Sequence, residues 1–271
     1  MNYYEKYQKY KQKYLELKGA GVNNSMPKKE PTQEQKNLNL LHAIKDNNSF
    51  KKDFLEIIQN NSIVYQDKYK LYNAVFLQKK GFNAVELRSL HFTASELPTV
   101  FTASDLKTAG YTATELHKAG FTASQLREAG FTASQLKTAN FTPAKLSTVF
   151  TASELKEASY TATELGSAGF TASQLKEAGF TASELKTAGF TASQLKVAGV
   201  SLNDVYNTAR YTIEELKNAG YTASELKALN INVNNLKIAG FNIYDLKIAG
   251  FTKKDLSSAF TEDEMRNKGL A

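Results

Sequence analysis

The stretch Phe121-Thr-Ala-Ser-Gln-Leu-Arg-Glu-Ala-Gly130 is followed directly by Phe131-Thr-Ala-Ser-Gln-Leu-Lys-Thr-Ala-Asn140. The same ten-residue period runs from Phe82 almost to the end of the 271-residue chain. A short fixed period indicates a repeat architecture, and this indication outweighs every other signal in the sequence. Nineteen units can be counted, and they begin at residues 82, 92, 101, 111, 121, 131, 141, 150, 160, 170, 180, 190, 200, 211, 221, 231, 241, 251 and 260.

Each unit carries the start and stop signals of one short helix. An aromatic residue at position 1 precedes Thr at position 2, Glu or Gln at position 5 and Leu at position 6, as in Phe170, Thr171, Gln174 and Leu175. Thr with Glu or Gln three residues later is a capping box, and the aromatic residue with Leu is the accompanying hydrophobic staple. Gly at position 10 supplies the left-handed residue that commonly ends a helix. The pattern therefore predicts a helix of about two turns in every unit.

Such short helices are marginal in water, because isolated helices below roughly 12 residues do not repay the cost of nucleation. Ala, Leu and Ala at positions 3, 6 and 9 form an apolar stripe together with the aromatic residue at position 1. We therefore predict an all-α solenoid of about 19 ten-residue, single-helix repeats over residues 82–269, with an N-terminal helical cap. Ser at position 4, Lys at position 7 and the variable position 8 are predicted to lie outside.

Several units depart from the ten-residue period. Units 92–100, 141–149 and 251–259 have nine residues, whereas unit 200–210 has eleven. Pro98 stands where a helical N–H is expected and should shorten its helix. Pro143 stands at the first helical position, which suits proline.

The segments before the repeat differ in composition from it. Residues 1–18 form an amphipathic Tyr/Lys-rich segment with a seam at heptad-like spacing, which predicts a helix. This helix either serves oligomerisation or anchoring to a membrane surface or to nucleic acid, or it is a terminal helix that rests on the rest of the chain. Residues 19–31 read as a flexible linker, and residues 32–81 as a helical capping region with helices near Thr32–Lys45, Phe50–Gln59 and Val64–Lys80. The seam consists of Tyr3, Tyr7, Tyr10, Tyr14 and Leu17.

Composition argues against an enzyme. The chain has no Cys and only three His, so thiolate sites, a Cys nucleophile and a His-based metal cage are not expected. We predict no metal and no cofactor. No run approaches the roughly 18 apolar residues of a membrane helix. The net charge of +7 lies entirely in residues 1–81, which hold 15 Lys and 8 acidic residues, because residues 82–271 hold 19 basic and 19 acidic residues.

Two segments resemble known proteins. Residues 4–18, Tyr-Glu-Lys-Tyr-Gln-Lys-Tyr-Lys-Gln-Lys-Tyr-Leu-Glu-Leu-Lys, resemble the N-terminal segment of many mimivirus-like giant DNA virus proteins. The decapeptide Phe-Thr-Ala-Ser-x-Leu-Lys-x-Ala-Gly resembles repeats of uncharacterised proteins from such viruses and from some bacteria. The resemblance implies a protein of the virion or of the infected host cytoplasm, and no reaction. It also implies a candidate processing site at Ala20 and Gly21, since such viruses often cleave structural proteins after Ala-Gly.

The favoured function is a structural or protein-interaction scaffold, because many equivalent helices make a long regular surface for a partner or for self-association. Variation concentrates at position 8, where Val197, Ile238 and Ile248 are apolar. With Ile243 and Tyr244 they form a candidate contact patch, although a role in core packing explains them equally well. The alternative function is nucleic-acid binding through the basic residues 1–81.

Overall fold

The computed structural model describes residues 44–45, 48–60 and 72–268, and these residues form helices and turns without a strand. Most repeats form one helix of six residues, so the predicted all-α architecture of tandem short helices is confirmed. The helices are α1 (Phe50–Asn60), α2 (Ala74–Lys79), α3 (Ala84–Ser89), α4 (Ala103–Thr108), α5 (Ala113–Lys118), α6 (Ala123–Glu128), α7 (Ala133–Thr138), α8 (Pro143–Leu146), α9 (Ala152–Glu157), α10 (Ala162–Ser167), α11 (Ala172–Glu177), α12 (Ala182–Thr187), α13 (Ala192–Val197), α14 (Ile213–Asn218), α15 (Ala223–Lys227), α16 (Val233–Ile238), α17 (Ile243–Ile248), α18 (Lys253–Ser257) and α19 (Glu262–Arg266).

The predicted capping boxes form at the helix starts. In α12, the Thr181 hydroxyl oxygen accepts the Glu184 N–H at 3.3 Å, and the Glu184 carboxylate accepts the Thr181 N–H at 2.7 Å. At the other end, Gly189 has φ +87° and donates to the Lys186 carbonyl, while Phe190 donates to the Leu185 carbonyl. These two bonds make a Schellman motif, which satisfies the last carbonyls of the helix. A regular decapeptide therefore closes its own helix at both ends.

The repeats stack with a period of two. Within the compact unit Met1–Phe131, α4 packs against α6, and within the unit Thr132–Ala271, α10 packs against α12 and α15 against α17. Each helix thus lies against the helix of the next repeat but one, so two repeats complete one turn of the solenoid. In both compact units, the core contains the aromatic residues of position 1, the small residues of position 3 and the fully buried Leu residues of position 6.

Irregular repeats are accommodated locally. Pro98 limits its repeat to a 3-10 turn at Ala94–Glu96, and Pro143 opens α8, as predicted for both. The additional residue of repeat 200–210 is absorbed in a π-helical turn at Asp204–Thr208, where Ala209 donates to the Asp204 carbonyl at 2.8 Å. A π-turn takes up one residue without ending the helix, so the following repeat keeps its register.

The array has one repeat before the first predicted unit. The sequence predicts a continuous helix over Val64–Lys80, but Tyr72 and Asn73 are not helical, and α2 begins at Ala74 with Asn73 as its N-cap. Tyr72 stands at position 1, and Gly81, at position 10, has φ +89°. Residues 64–71 of the predicted helix lie outside the described part of the chain, and the helix that ends at Lys79 begins only after Asn73. Asn73 and Phe76 stand where the consensus has Thr and Glu, so the consensus does not identify this repeat.

Helix α1 covers the start of this array. It agrees with the predicted helix over Phe50–Gln59, and its Ser49 hydroxyl donates to the Asp53 carboxylate at 2.9 Å. Phe50 lies 5.3 Å from the Tyr72 ring in an edge arrangement, and Phe54 lies 5.5 Å from the Phe82 ring. Such edge contacts add to the burial of these rings.

Candidate interaction surface

Lysines at position 7 connect successive turns of the solenoid. Lys137 donates from Nζ to the Ser159 carbonyl oxygen at 2.7 Å, and the same ammonium lies 4.2 Å from the centre of the Tyr160 ring. A carbonyl acceptor and an aromatic face are both favourable partners of an ammonium group. We call the series of these contacts the lysine ladder and each contact a rung. In the second compact unit the rungs with both contacts are those of Lys137, Lys156, Lys186, Lys196, Lys217, Lys227 and Lys237.

The ladder corrects the prediction that these lysines lie outside as a solvated row. Each lysine of one repeat reaches the junction between the second and the third repeats that follow it, as Lys186 does at Arg210 and Tyr211. The side chains are mostly half-buried because the aliphatic stem crosses an aromatic face. Most of these ammonium groups therefore make contacts between turns, and the row offers less free positive charge to an anionic partner.

Acidic residues at position 5 complete many rungs. Glu225 lies 3.9 Å from the Lys196 ammonium, and Glu264 lies 3.0 Å from that of Lys237. The backbone N–H of Thr161 lowers the pKa of Glu164, and the positive charge of Lys137 lowers it further. The same carboxylate therefore serves a helix cap and a contact between turns.

The first compact unit, Met1–Phe131, contains variants of the lysine ladder contact. Lys51 of α1 donates to the Gly81 carbonyl at 2.8 Å, pairs with Glu86 at 2.7 Å and lies 5.4 Å from the Phe82 ring centre. The guanidinium of Arg88 lies 4.4 Å from the centre of the Tyr111 ring. Helix α1 thus supplies a rung although it lies outside the decapeptide pattern.

The sequence contains a pairing of opposite charges that indicates the ladder, but the paired residues stand far apart along the chain. Position 7 of one repeat matches position 5 three repeats later, as Lys156 matches Glu184 and Lys186 matches Glu215. The pairs stand about three repeats apart, and comparison of neighbouring repeats does not reveal them. The three-repeat separation becomes evident only when it is known that two repeats form one turn.

In the second compact unit, three positions of the ladder lack a lysine. Position 7 holds Ser147, Gly166 and Tyr206, and the matching position 5 is neutral in each case, namely Gln174, Gln194 and Asn235. Within residues 132–268, no side chain donates to the Gly169, Gly189 or Asn230 carbonyls that these missing lysines would reach. Loss of the cation is therefore accompanied by loss of the anion.

Clefts in the second unit reflect the ladder. One cleft of about 490 Å³ is lined by Lys186, Phe190, Tyr211 and Glu215, around a filled rung. The equivalent cleft two turns earlier measures about 610 Å³, and it has Ser147 in place of the lysine and Gln174 in place of the glutamate. The remaining lining residues equivalent to Phe190 and Tyr211 are Phe150 and Phe170.

Tyrosines at position 1 add a second link between turns. The Tyr111 hydroxyl donates to the Phe92 carbonyl, and the Tyr160 hydroxyl donates to the Phe141 carbonyl at 3.2 Å. Burial raises the pKa of Tyr111 and of Tyr211 to about 12, so both phenols stay protonated at neutral pH. They act as hydrogen-bond donors within the fold.

The structure divides the predicted contact patch. Val197 and Ile238 are each 84% exposed, Ile248 is 81% exposed and Tyr244 is 49% exposed. Ile243 is only 4% exposed, so its assignment to the patch is wrong. Ile243 stands at position 3, which faces the core and is Ala in most repeats. Its larger side chain therefore packs inside the core.

The exposed members do not form a single row. Because helices alternate between two columns, the repeats of Val197 and Ile238 lie in one column, with the repeat of Asn218 between them. Tyr244 and Ile248 are four residues apart on α17, in the other column. The predicted seam Tyr3, Tyr7, Tyr10, Tyr14 and Leu17, the linker, and the candidate processing residues Ala20 and Gly21 lie outside the described residues.

Among residues 44–45, 48–60 and 72–268, no three His, Asp or Glu side chains are grouped to hold a metal ion. No helix in those ranges combines the length and apolar character that crossing a bilayer requires. The remaining features are the regular helices, the lysine ladder with its gaps, and the exposed aliphatic side chains.

This architecture defines an α-helical solenoid repeat protein. A family model described as "Decapeptide repeat region" matches residues 71–143, 149–209 and 206–271, and the chain belongs to this family. The first match includes the repeat that begins at Tyr72. No curated protein and no solved structure has significant similarity to the chain.

Proposed function

We propose that the chain is a non-enzymatic scaffold that binds a protein partner through side chains at position 8 of its later repeats. The observation that carries this proposal is the exposure of Val197, Ile238 and Ile248 above 80%. Position 8 is polar in most other repeats, as in Thr138, Glu157 and Asn218. Burial of a Val or Ile side chain against a partner contributes about 1.5 to 3 kcal/mol.

These aliphatic side chains have no role in the core. Positions 1, 3 and 6 fill the interior in the same repeats, as shown by the buried Ile231, Val233 and Leu236 beside the exposed Ile238. Their apolar surface is available to another molecule. Self-association through the same side chains is the form this binding takes if the partner is a second copy of the chain.

The proposal includes no catalytic step. The recurring hydroxyl and carboxylate groups are engaged in capping boxes, as Thr212 and Glu215 are at 2.7 Å through the Thr212 N–H. The proposed setting is a virion or the cytoplasm of an infected cell. It is supported only by the resemblance of residues 4–18 to giant-virus proteins.

A triple variant tests the scaffold role. Val197→Thr, Ile238→Thr and Ile248→Thr together keep a β-branched side chain at these exposed positions and remove most of their apolar surface. The control carries Glu128→Thr, Glu157→Thr and Asn218→Thr, which also change exposed position 8 residues. Partners are captured on full-length protein with quantitative mass spectrometry, and self-association is measured by sedimentation.

We expect an association that the control retains and the triple variant loses. Equal recovery by both variants would contradict the proposal. So would a wild-type chain that neither associates with itself nor captures any protein above background. Circular dichroism of each variant verifies that the helices remain folded.

A second candidate function is nucleic-acid binding near the N-terminal end. Residues 1–81 carry the whole net charge of +7. Within the described residues, Lys51, Lys52, Lys79 and Lys80 line one cleft of about 1000 Å³ beside the first turn of α1. Lys52 and Lys79 are exposed there.

A gel-shift titration of the full chain with DNA tests this second function. Each lysine that contacts a phosphate adds about 0.9 to the slope of log affinity against log salt. We expect Lys52→Gln with Lys79→Gln to reduce that slope by about 2. The matched control replaces the exposed Lys118 and Lys145 by Gln. An equal reduction in both variants, or no DNA binding by the full chain, would reject the site.

A further inference from the structure

We infer that two gaps in the lysine ladder, at the junctions 169/170 and 189/190, are binding sites for two lysine side chains of a partner. The inference rests on the proposed protein-binding function and narrows the partner's chemistry. The ligand is defined by the chain itself, because neighbouring junctions bind a lysine of the same chain in the equivalent place.

Filled junctions show what the site recognises. At junction 179/180, the Lys156 ammonium lies 2.5 Å from the Gly179 carbonyl oxygen and 4.7 Å from the Phe180 ring centre. At junction 210/211, Lys186 lies 2.6 Å from the Arg210 carbonyl oxygen and 4.4 Å from the Tyr211 ring centre. The recognition elements are a carbonyl at a helix C-terminus and an aromatic face. Both favour a cation.

The same elements are present at the two gaps. Gly169 and Gly189 have φ +95° and +87°, close to the +84° of Gly179, so their carbonyls belong to the same turn. Each is followed by a phenylalanine, Phe170 and Phe190 respectively. The site is therefore preformed, and a ligand does not have to reorganise the backbone.

The side chains opposite leave these sites open. Ser147 is too short to reach Phe170, and the two residues line the same cleft of about 610 Å³. Gly166 has no side chain, and the Phe190 ring lies close beside it. A Cβ atom there would be 3.2 Å from Cε2 of Phe190, so a lysine at this position requires the ring to shift slightly. Phe190 is half-buried, whereas Phe150, Phe170 and Tyr211 of the same column are buried. The exposed Glu177 lines the first cleft and attracts a positive ligand.

The spacing of the two sites specifies the partner further. The junctions are one solenoid turn apart in the same column, and packed helices lie about 8 to 10 Å apart. A polyproline II segment rises about 3.1 Å per residue with three residues per turn. Lysines three residues apart in such a segment therefore point to the same side at about 9 Å. A Lys-x-x-Lys motif in this conformation matches the two sites.

The probe is a fluorescent peptide, Pro-Pro-Lys-Pro-Pro-Lys-Pro-Pro, titrated with the full chain at about 0.15 M salt with anisotropy as the readout. Acetylation of both lysines removes the charge, and a second peptide places the lysines two residues apart, on different sides. We expect saturable binding of the first peptide and affinity at least about tenfold lower for the other two, corresponding to the loss of one good contact.

Variants of the chain locate the binding. Ser147→Lys with Gly166→Lys supplies both missing lysines from within the chain and should reduce peptide affinity at least about tenfold. Ser134→Lys with Ser224→Lys adds the same charge at exposed position 4 sites and should change affinity less than about twofold. Phe170→Leu with Phe190→Leu removes both aromatic faces and should also weaken binding, which provides a test if the lysine variant does not fold.

The inference is overturned if the first peptide does not bind, if its acetylated form binds equally well, or if a folded filled variant or the leucine variant keeps full affinity. The Val197, Ile238 and Ile248 triple variant should bind the peptide like wild type. Loss of peptide binding alone, with partner capture intact, would reject the lysine sites without rejecting the scaffold function.

Discussion

Replacement of Lys137 by Met tests whether the lysine ladder stabilises the solenoid. The substitution keeps a flexible apolar stem over the Tyr160 ring and removes the ammonium, which lies 2.7 Å from the Ser159 carbonyl. A hydrogen bond to this carbonyl contributes about 1 kcal/mol net, and the cation–π contact of a partly exposed lysine contributes about 0.5 kcal/mol. We therefore expect the free energy of unfolding to fall by about 1.5 kcal/mol.

Urea unfolding followed by circular dichroism measures this loss. Lys118→Met is the control, because Lys118 is an exposed position 8 lysine, and we expect it to change stability by less than about 0.5 kcal/mol. The pKa of Glu164 provides a local readout, since the Lys137 charge contributes to lowering it and its loss should raise the value measured by NMR. Equal destabilisation by the two substitutions, with an unchanged Glu164 pKa, would refute the ladder as a stabilising contact.

Three further predictions concern the fold. The Thr181 backbone N–H lowers the pKa of Glu184 in the folded chain, so the stability from this cap is present above the usual pKa of 4.5 and is lost as pH falls through the lower folded value. Glu184→Gln should therefore show a smaller loss of urea midpoint between neutral and acidic pH, and an unchanged loss would contradict this assignment. Ile243→Ala should lower the unfolding free energy by about 2 to 4 kcal/mol because Ile243 is buried, whereas Ile248→Ala should change it by less than about 0.5 kcal/mol. If the two alanine variants unfold alike, the inward placement of Ile243 is wrong. Ser159 has φ +63°, so Ser159→Gly should raise stability by about 0.5 kcal/mol in thermal unfolding, and a lower stability would show that the left-handed turn is not strained.

Much of the local structure follows from the decapeptide alone. Thr and Glu three residues apart have one way to satisfy the first N–H groups of a helix, and Gly at position 10 suits the left-handed end. Pro98 and Pro143 act through the missing N–H and fixed φ of proline, so their effects could also be predicted. The consensus does not identify the repeat beginning at Tyr72, because Asn73 and Phe76 replace the expected Thr and Glu. Its N-cap is nevertheless the same.

Side-chain environment between turns could not be predicted in the same way. The decapeptide predicts a solvated Lys137 because its neighbours within the repeat are polar, whereas its partners stand 22 and 23 residues later. The sequence leaves Ile243 either in a contact patch with Tyr244 and Ile248 or in the core, and its burial supports the core. The gaps at Ser147 and Gly166 become meaningful only when the junction opposite each residue is known.

The sequence by itself determined the helices, their ends and the apolar stripe, because capping and periodicity depend on residues within about ten positions of one another. Tertiary structure decided that two repeats make a turn. It therefore also decided which lysine meets which ring and which junctions lack a lysine. The physical reason is that a short helix is stabilised by its packed neighbours, and the choice of neighbours depends on the path of the whole chain.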